Sequence, residues 1–276
     1  MPNATLLVHH AADPYFNMAC DEWMAAHADS SRSILIRLYS WQPGGITIGR
    51  HQREERALRW DLLHGTPVIR RITGGRAIYH DPSELTYAVA MPTDGGGVEQ
   101  LAGSVAAVSR TLSEVLSDFV TALGIEARVM SRSAPGEADT ARLHTAPCFT
   151  SYARREILAD GRKVVASAQR RMGQAVLQHG SVKLAGIVGH AALPDIPGSP
   201  NQMADAVTRS DIDTAKRLFA NAFETRLGLS VVARELSADE RGLVARYASY
   251  VASHHLRQRD SIKQIASLSS LSLDRL

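Results

Sequence analysis

The chain has 276 residues, of which 45% are hydrophobic and 21% are charged, with a formal net charge of +3. This balance is typical of a globular protein with a core of normal size, and two cysteines cannot form a disulfide framework or a Cys-rich metal site. No apolar run approaches the roughly 18 residues of a membrane span, and the N-terminal stretch lacks a secretory-signal pattern. We therefore expect a cytoplasmic protein that does not contact a membrane.

The basic residues are scattered and form no dense Lys/Arg stripe, so nucleic-acid binding is not expected. A sequence pI of about 9.0 instead suits acidic protein partners. Arginine carries most of the positive charge, and lysines are few. The lysines are Lys163, Lys183, Lys216 and Lys263.

Hydrophobic periodicity and turn residues divide the first half of the chain into one helix, several short strands and a second long helix. In chain order, the predicted elements are a helix at 16–29, strands at 34–41 and 45–52 separated by Pro43-Gly44, a polar helical stretch around 53–63, a strand, Gly-Gly turn and strand at 67–81, a strand at 85–92, the glycine loop 95–97, and helical periodicity over 98–123 closed by Gly124.

The second half is predicted to contain strands followed by helices. In order, these are a polar loop at 131–147, two short strands around an Asp160-Gly161 turn within 155–171, a strand at 175–185 broken at Gly180, a connector with Pro194, Pro197 and Pro200, helices at 203–228 and 237–256, and a Ser/Leu-rich tail from 261. The pattern predicts an α+β fold. Residues 1–200 are the expected core, and 201–276 form a helical extension packed on the same domain.

A Gly-Gly pair lies between two strand-like segments in the sequence Arg71-Ile72-Thr73-Gly74-Gly75-Arg76. Adjacent glycines let backbone amides approach a ligand closely, and flanking arginines can hold phosphate or carboxylate oxygens. Taken alone, such a motif is more often a plain hairpin bearing solvated arginines.

The two cysteines have different sequence environments. Cys148 follows the polar loop 131–147, so it could be an accessible nucleophile whose thiolate is favoured by a nearby cation such as Lys163. A lone cysteine is more often a small buried hydrophobe. Cys20 lies in the apolar stripe of the first helix and is predicted to belong to the core.

Lys163 and three histidines are further candidates for a site. Lys163 follows the Asp160-Gly161 turn and could stabilise a developing oxyanion or hold a phosphate. His80 and His179 end predicted strands and could line a site, whereas His144 has no such placement. No spacing of His, Cys, Asp and Glu indicates a metal site, and no cofactor is expected.

Four stretches together are similar to one family in order and spacing. They are NMACDEWM (17–24), LYSWQPGGITIGRHQ (38–52), RRITGGRAIYHDPSELTYAV (70–89) and GRKVVASAQRRMGQAVLQHGS (161–181). On these stretches, the chain resembles the lipoate–protein ligase/octanoyltransferase family, which is related in fold to biotin–protein ligase. The resemblance implies a mixed, largely antiparallel sheet packed with helices.

Within that family, the Cys148-Phe149 pair placed before Gly161-Arg162-Lys163-Val164 resembles the cysteine-dependent octanoyltransferases that load the glycine-cleavage H protein. This likeness implies that Cys148 accepts the acyl group and that Lys163 lies beside the acyl carbonyl. It also implies a substrate-binding set: Arg71, Thr73, Gly74, Gly75, Arg76, His80, Ser167, Ala168, His179 and Gly180. The residues after Phe149 depart from the family pattern.

The implied reaction transfers octanoyl from octanoyl-acyl carrier protein through a cysteine thioester to the lysine of a lipoyl-domain protein, such as the glycine-cleavage H protein. Three alternatives remain at this point. The chain could be an ATP-dependent lipoate–protein ligase, an amidotransferase acting between lipoyl domains, or an acyl-binding module without turnover.

Overall fold

The computed structural model describes residues 1–9, 11–130, 157–183, 189–193 and 212–257, together with 265, 267 and 268. Cys148, His144, the loop predicted at 131–147, the proline-rich connector and the expected boundary at residue 200 lie outside the described residues. The described part confirms an α+β fold in which a large mixed sheet is packed between helices.

The large sheet contains eight strands in the described part of the chain. In chain order they are β1 (Asn3–Leu7), β2 (Ile34–Tyr39), β6 (Leu85–Pro92), β7 (Arg128–Val129), β8 (Ile157–Ala159), β9 (Arg162–Met172), β10 (Ala175–Val182) and β11 (Ser230–Arg234). Their spatial order is β11-β1-β2-β6-β10-β9-β8-β7. Only the pairs β11–β1 and β1–β2 are parallel; the other five are antiparallel. Sequence periodicity did not predict β1, β7 or β11.

Helices cover both faces of this sheet. They are α1 (Pro14–Ser31), α3 (Val105–Ala122), α4 (Ile212–Leu227) and α5 (Ala238–Ser253). Helix α1 begins at Pro14 because the side chain of Asp13 accepts hydrogen bonds from the first free backbone amides. Side chains alternate along β2: Ile34 and Ile36 pack with α3 and α4, whereas Leu35 and Tyr39 pack with α1 and α5.

A second, three-stranded sheet carries the Gly-Gly motif. It contains β3 (Gly45–Ile48), β4 (Val68–Arg70) and β5 (Ile78–His80), in the order β4-β3-β5. Because β3 lies between the other two strands, Gly74-Gly75 is not a hairpin turn; the chain crosses from one edge of the sheet to the other. Similarly, Pro43-Gly44 links β2 of the large sheet to β3 of the small one, and the two strands do not pair with each other. The polar stretch between β3 and β4 forms the short helix α2 (Glu54–Ala57) and a 3₁₀ turn at Trp60–Leu62.

The predicted strand break at Gly180 is wrong. Gly180 lies inside the continuous strand β10, opposite Ser167 of β9 and Tyr87 of β6. A Cβ atom at Gly180 would stand 2.1 Å from the carbonyl oxygen of Ala166. The glycine therefore permits a close approach of neighbouring strands and does not interrupt pairing.

The C-terminal elements pack against the rest of the described structure. Strand β11 adds to the edge of β1, and α5 lies beside α1, where the Tyr247 hydroxyl donates to Glu22. After α5, the Leu256 carbonyl accepts a hydrogen bond from Arg70 Nε at 2.6 Å. The end of this helix is thereby attached to the strand that leads into the Gly-Gly loop.

Candidate active site

A cavity lies between helix α1, the small sheet and the centre of the large sheet. Its empty space, open solvent included, is about 410 Å³. Its apolar wall comes from Met18, Ile78, Ala166 and Ala168. Residues of both sheets and of the Gly-Gly loop complete the lining: Tyr39, Thr47, Arg71, Gly75, His80, Thr86, Ser167, His179, Gly180 and Ser181.

His179 connects this cavity to a buried ion pair. Its Nδ1 lies 2.9 Å from Asp21 Oδ2, and its Nε2 lies 2.7 Å from Thr73 Oγ1. Asp21 also accepts from Arg37 Nη1 at 2.6 Å and from the Tyr39 hydroxyl at 2.8 Å. All five side chains are buried. Because a carboxylate only accepts, Asp21 makes Nδ1 of His179 the donor and leaves Nε2 facing Thr73.

His80 connects the cavity to a second buried ion pair. Its Nδ1 donates to Glu84 Oε1 at 2.7 Å, and its Nε2 lies 2.8 Å from Thr47 Oγ1. Lys183 Nζ pairs with Glu84 and with Asp81 Oδ2 at 2.9 Å. The ring of His80 also stacks on Trp41, with centroids 4.1 Å apart. The packing and the hydrogen bonds together fix the orientation of this imidazole.

Burial and ion pairing shift the pKa values of this second network in defined directions. Burial opposes the charge of Glu84, but Lys183 and His80 outweigh it and lower the pKa of Glu84 to about 2. Burial also lowers the pKa of His80, against the opposing effect of Glu84, and favours the neutral imidazole. For Lys183, burial disfavours the charge, but Glu84 and Asp81 raise its pKa overall.

Arg71 holds the Gly-Gly loop in place. Its guanidinium donates to the Gly74 carbonyl at 2.7 Å and the Arg76 carbonyl at 2.9 Å. Its Nη1 donates to Thr47 Oγ1 at 3.2 Å, which joins the loop to the His80 network. These contacts organise the loop, and Arg71 also lines the cavity, so its predicted role in substrate binding stays a prediction.

Gly49 allows this loop to lie where it does. A Cβ atom at Gly49 would stand 1.9 Å from the carbonyl oxygen of Gly75, which is too close for any other residue without displacing the loop. The two loops are joined further, because Arg50 N donates to the Thr73 carbonyl at 2.8 Å. Gly49 thus has a steric role in setting the Gly-Gly loop beside the cavity.

The structure brings most of the predicted substrate-binding residues together. Of this set, those that line the cavity are Arg71, Gly75, His80, Ser167, Ala168, His179 and Gly180. Thr73 reaches the cavity through its contact with His179, and Gly74 and Arg76 line an adjoining groove. The hydroxyl of Ser167 accepts from Tyr87, so this side chain contributes to strand packing as well.

Lys163 is buried on β9, opposite Leu158 of β8. The neighbours of Leu158, Ile157 and Ala159, belong to the core on the α3 and α4 side. The pairing of β8 with β9 is irregular between Ile157 and Leu158, and Lys163 is not among the described residues that line the cavity. Cys148, the other predicted catalytic residue, lies outside the described residues. Cys20 is fully buried in the core as predicted, and burial raises the pKa of its thiol to about 11.

Sequence analysis missed the buried ion pairs behind the two histidines. Asp21, Arg37, Glu84 and Lys183 are each at most 3% exposed. A signal was present for Arg37, since a charged residue within the apolar run ILIRLY must be paired when the strand is buried. The partners come from different elements, so the sequence did not reveal the pairing.

Comparison with solved structures defines the class of fold. The crystal structure of lipoate-protein ligase A bound with ATP superposes with a TM-score of 0.69 at 22% identity, covering 92% of this chain and 96% of that one. A bipartite lipoate protein ligase from Thermoplasma acidophilum superposes with a TM-score of 0.67 at 20% identity, covering 94% and 99%. The fold is therefore that of the lipoate–protein ligases, as predicted.

Sequence comparison then assigns the family. The model of the lipoyl protein ligase A/B catalytic domain matches residues 13–204, and the chain belongs to this family. Its relatives include the octanoyltransferase LipM of Kyrpidia tusciae, 37% identical over 61% of both chains. The octanoyltransferase LipM of Moorella thermoacetica is 35% identical over 67% of both chains. That of Bacillus subtilis is 29% identical over 90% of this chain and 91% of that one. The match to the Kyrpidia protein thus spans about three fifths of that relative's length.

No helix in the described ranges has the length and hydrophobicity needed to cross a bilayer.

Proposed function

We propose that this chain is an acyltransferase that moves an octanoyl group from octanoyl-acyl carrier protein to the lysine of a lipoyl-domain protein, such as the glycine-cleavage H protein, in lipoate biosynthesis. The observation that carries the proposal is the cavity itself. Its wall combines apolar side chains with the Gly-Gly loop, which Arg71 holds against it. Octanoyltransferase relatives of up to 37% identity support the same reaction.

In the first step, the Cys148 thiolate attacks the thioester carbonyl of the donor. A new carbon–sulfur bond forms to Cys148, the old one breaks, and the carrier leaves as a thiolate that takes up a proton. In the second step, the neutral amine of the acceptor lysine attacks the acyl-cysteine. An amide forms, Cys148 leaves as the thiolate, and the amine loses its proton. Because a thioester is already activated, neither step requires ATP.

In this reaction, Lys163 and backbone amides of the Gly74-Gly75 loop stabilise the oxyanion. Lys163 is buried on β9, the strand whose residues Ala166 and Ala168 line the cavity, and the loop borders the cavity at Gly75. A positioned donor of this kind typically contributes about 10²–10³ in rate. The apolar wall at Met18 and Ile78 holds the acyl chain, whose burial contributes about 0.8 kcal/mol per methylene.

An ATP-dependent lipoate–protein ligase is the second candidate, because the superposed structures of the same fold are ligases. Such an enzyme would activate the acyl group as an adenylate and would not need Cys148. Replacing Cys148 with serine separates the two reactions: the cysteine relay stops, whereas a ligase continues.

The direct test is intact mass after purified protein is mixed with octanoyl-acyl carrier protein in the absence of ATP. The expected result is one octanoyl adduct that hydroxylamine removes and that Cys148→Ala abolishes. Cys20→Ala is the matched control and should keep the adduct, because Cys20 is fully buried. Failure of wild type to form the adduct, with acyl-adenylate produced from octanoate and ATP, would establish the ligase.

A further inference from the structure

An open groove adjoins the cavity on the side of helix α2. It is lined by the Gly-Gly loop, by Arg76, and by the segment that contains His51, Arg53 and Arg56. Gly75 lines both this groove and the cavity. A ligand held in the groove therefore needs to pass only the Gly-Gly loop to place an attached group in the cavity. We refer to this surface as the basic groove.

The residues that line the basic groove are mainly basic, and the exposed Glu55 lies between two of them in the chain. Three arginines and one histidine line it, and among its described lining residues none carries a carboxylate. Glu54 lies beside Arg53 in the chain, but its Oε2 faces Arg70 Nη2 at 3.9 Å. Arg53 and Arg56 are exposed to solvent. A concave surface of one charge sign attracts ligands of the opposite sign.

An exposed tryptophan favours a protein over a small anion as the ligand. Trp60 lies four residues after Arg56, on the 3₁₀ turn that follows α2, and 44% of its surface is exposed. Tryptophan and arginine are the residues most enriched among those that dominate protein–protein binding energy. Trp60 is not among the residues that line the groove, so only a ligand large enough to extend beyond the groove, such as a protein, can cover both.

We propose that the basic groove and Trp60 dock the acidic carrier protein that delivers the acyl group, with its thioester-bearing arm passing Gly75 into the cavity. This inference rests on the proposed function, since it names the surface that receives the donor. Charge attraction would speed the encounter, and contact with Trp60 would slow release.

The test compares two octanoyl donors that share a thioester but differ in the protein attached to it. Octanoyl-acyl carrier protein carries the acidic surface, and octanoyl-pantetheine does not. The variant Arg53→Glu/Arg56→Glu should lower kcat/KM for the carrier protein relative to that for octanoyl-pantetheine by about tenfold or more, mainly through KM. Trp60→Ala should also lower kcat/KM for the carrier protein relative to that for octanoyl-pantetheine. The change of this ratio with salt concentration should stay as in wild type.

The matched control is Arg110→Glu/Arg217→Glu, which changes net charge by the same amount. Arg110 and Arg217 are exposed on α3 and α4, which pack on the opposite face of the large sheet. This control should keep the wild-type ratio. Circular dichroism and thermal unfolding verify that all variants fold.

Two results would overturn the docking proposal. One is an equal loss of kcat/KM with both donors, which would indicate that the arginines contact the acyl group or its arm. The other is a groove variant that behaves like the Arg110/Arg217 control. If wild type transfers octanoyl from neither donor, the proposed function fails. Calorimetry with the carrier protein, on wild type and on Arg53→Glu/Arg56→Glu, still decides whether the basic groove binds the carrier.

Discussion

Replacing Glu84 with glutamine would remove the carboxylate that binds both His80 and Lys183. All three side chains are buried, and the change leaves the shape of the side chain almost unaltered. Lys183 would keep Asp81 Oδ2 at 2.9 Å as an ionic partner. The substitution therefore removes one charge without also creating a cavity.

The loss of folding stability expected for Glu84→Gln follows from the pKa of Glu84 and from the usual effect of breaking a buried ion pair. Glu84 has an ordinary pKa of 4.5 and a pKa of about 2 in the folded protein; at about 1.36 kcal/mol for each pH unit, the difference corresponds to ~3 kcal/mol of stability at pH 7. Breaking a buried ion pair by removing one partner typically costs about 3–5 kcal/mol. Because Asp81 remains, we expect the lower end of that range.

The pH dependence follows from the lowered pKa of Glu84. Its contribution to stability is complete above the unfolded pKa of 4.5 and is lost as pH falls towards the folded value of about 2. The difference in unfolding free energy between wild type and Glu84→Gln, about 3 kcal/mol at pH 7, should therefore fall to roughly half that value at pH 3.

Urea unfolding at both pH values, followed by tryptophan fluorescence, measures this gap. The companion variants Lys183→Met and Glu84→Gln/Lys183→Met complete a double-mutant cycle, in which the double variant should lose less than the sum of the single losses. The reasoning is refuted if Glu84→Gln matches wild type at pH 7, if the gap is the same at pH 3, or if the two single losses simply add.

Three further predictions concern the Gly-Gly loop, the second ion pair and the thiols. Gly49→Ala should displace the loop and lower kcat at least about tenfold. The control Gly242→Ala, at a half-buried position of helix α5 where the nearest neighbouring atom is 3.5 Å away, should stabilise the protein by about 0.5–1 kcal/mol. Octanoyl transfer and thermal unfolding measure the two effects. Asp21→Asn should lower both the unfolding temperature and kcat, because it leaves a buried arginine without its ionic partner; unchanged values would exclude a role for that network. Under native conditions, iodoacetamide should modify Cys148 and spare Cys20, whose thiol pKa is about 11; peptide mapping shows which thiol reacts, and labelling of Cys20 first would contradict the assignment.

The sequence predicted the long regular elements well because periodicity and turn residues are local signals. The helix expected at 16–29 is observed as Pro14–Ser31, and the strand expected at 85–92 is observed at those residues. The short strands β1, β7 and β11 were missed. Strand β11 forms only when a distant segment, β1, pairs with it, so its own residues carry little of the information.

The residues that line the site were predictable for a different reason. Motifs such as Thr73-Gly74-Gly75 and His179-Gly180 are contiguous, and their likeness to one family identified seven of the cavity-lining residues. The likeness did not indicate which hydrogen bonds hold these side chains in place. For example, Arg71 lines the cavity as expected, but the sequence did not indicate that it also donates to carbonyls of the Gly-Gly loop.

By itself, the sequence determined the class of fold, the main helices and strands, and the identity of the site motifs, because each depends on residues close together in the chain. The tertiary structure decided that Gly74-Gly75 crosses over β3, that Gly180 permits strand contact, and that Asp21 and Glu84 anchor the two histidines. These features join residues up to 158 positions apart. Buried charges must find partners wherever the fold places them, so their pairing is fixed only when the elements pack together.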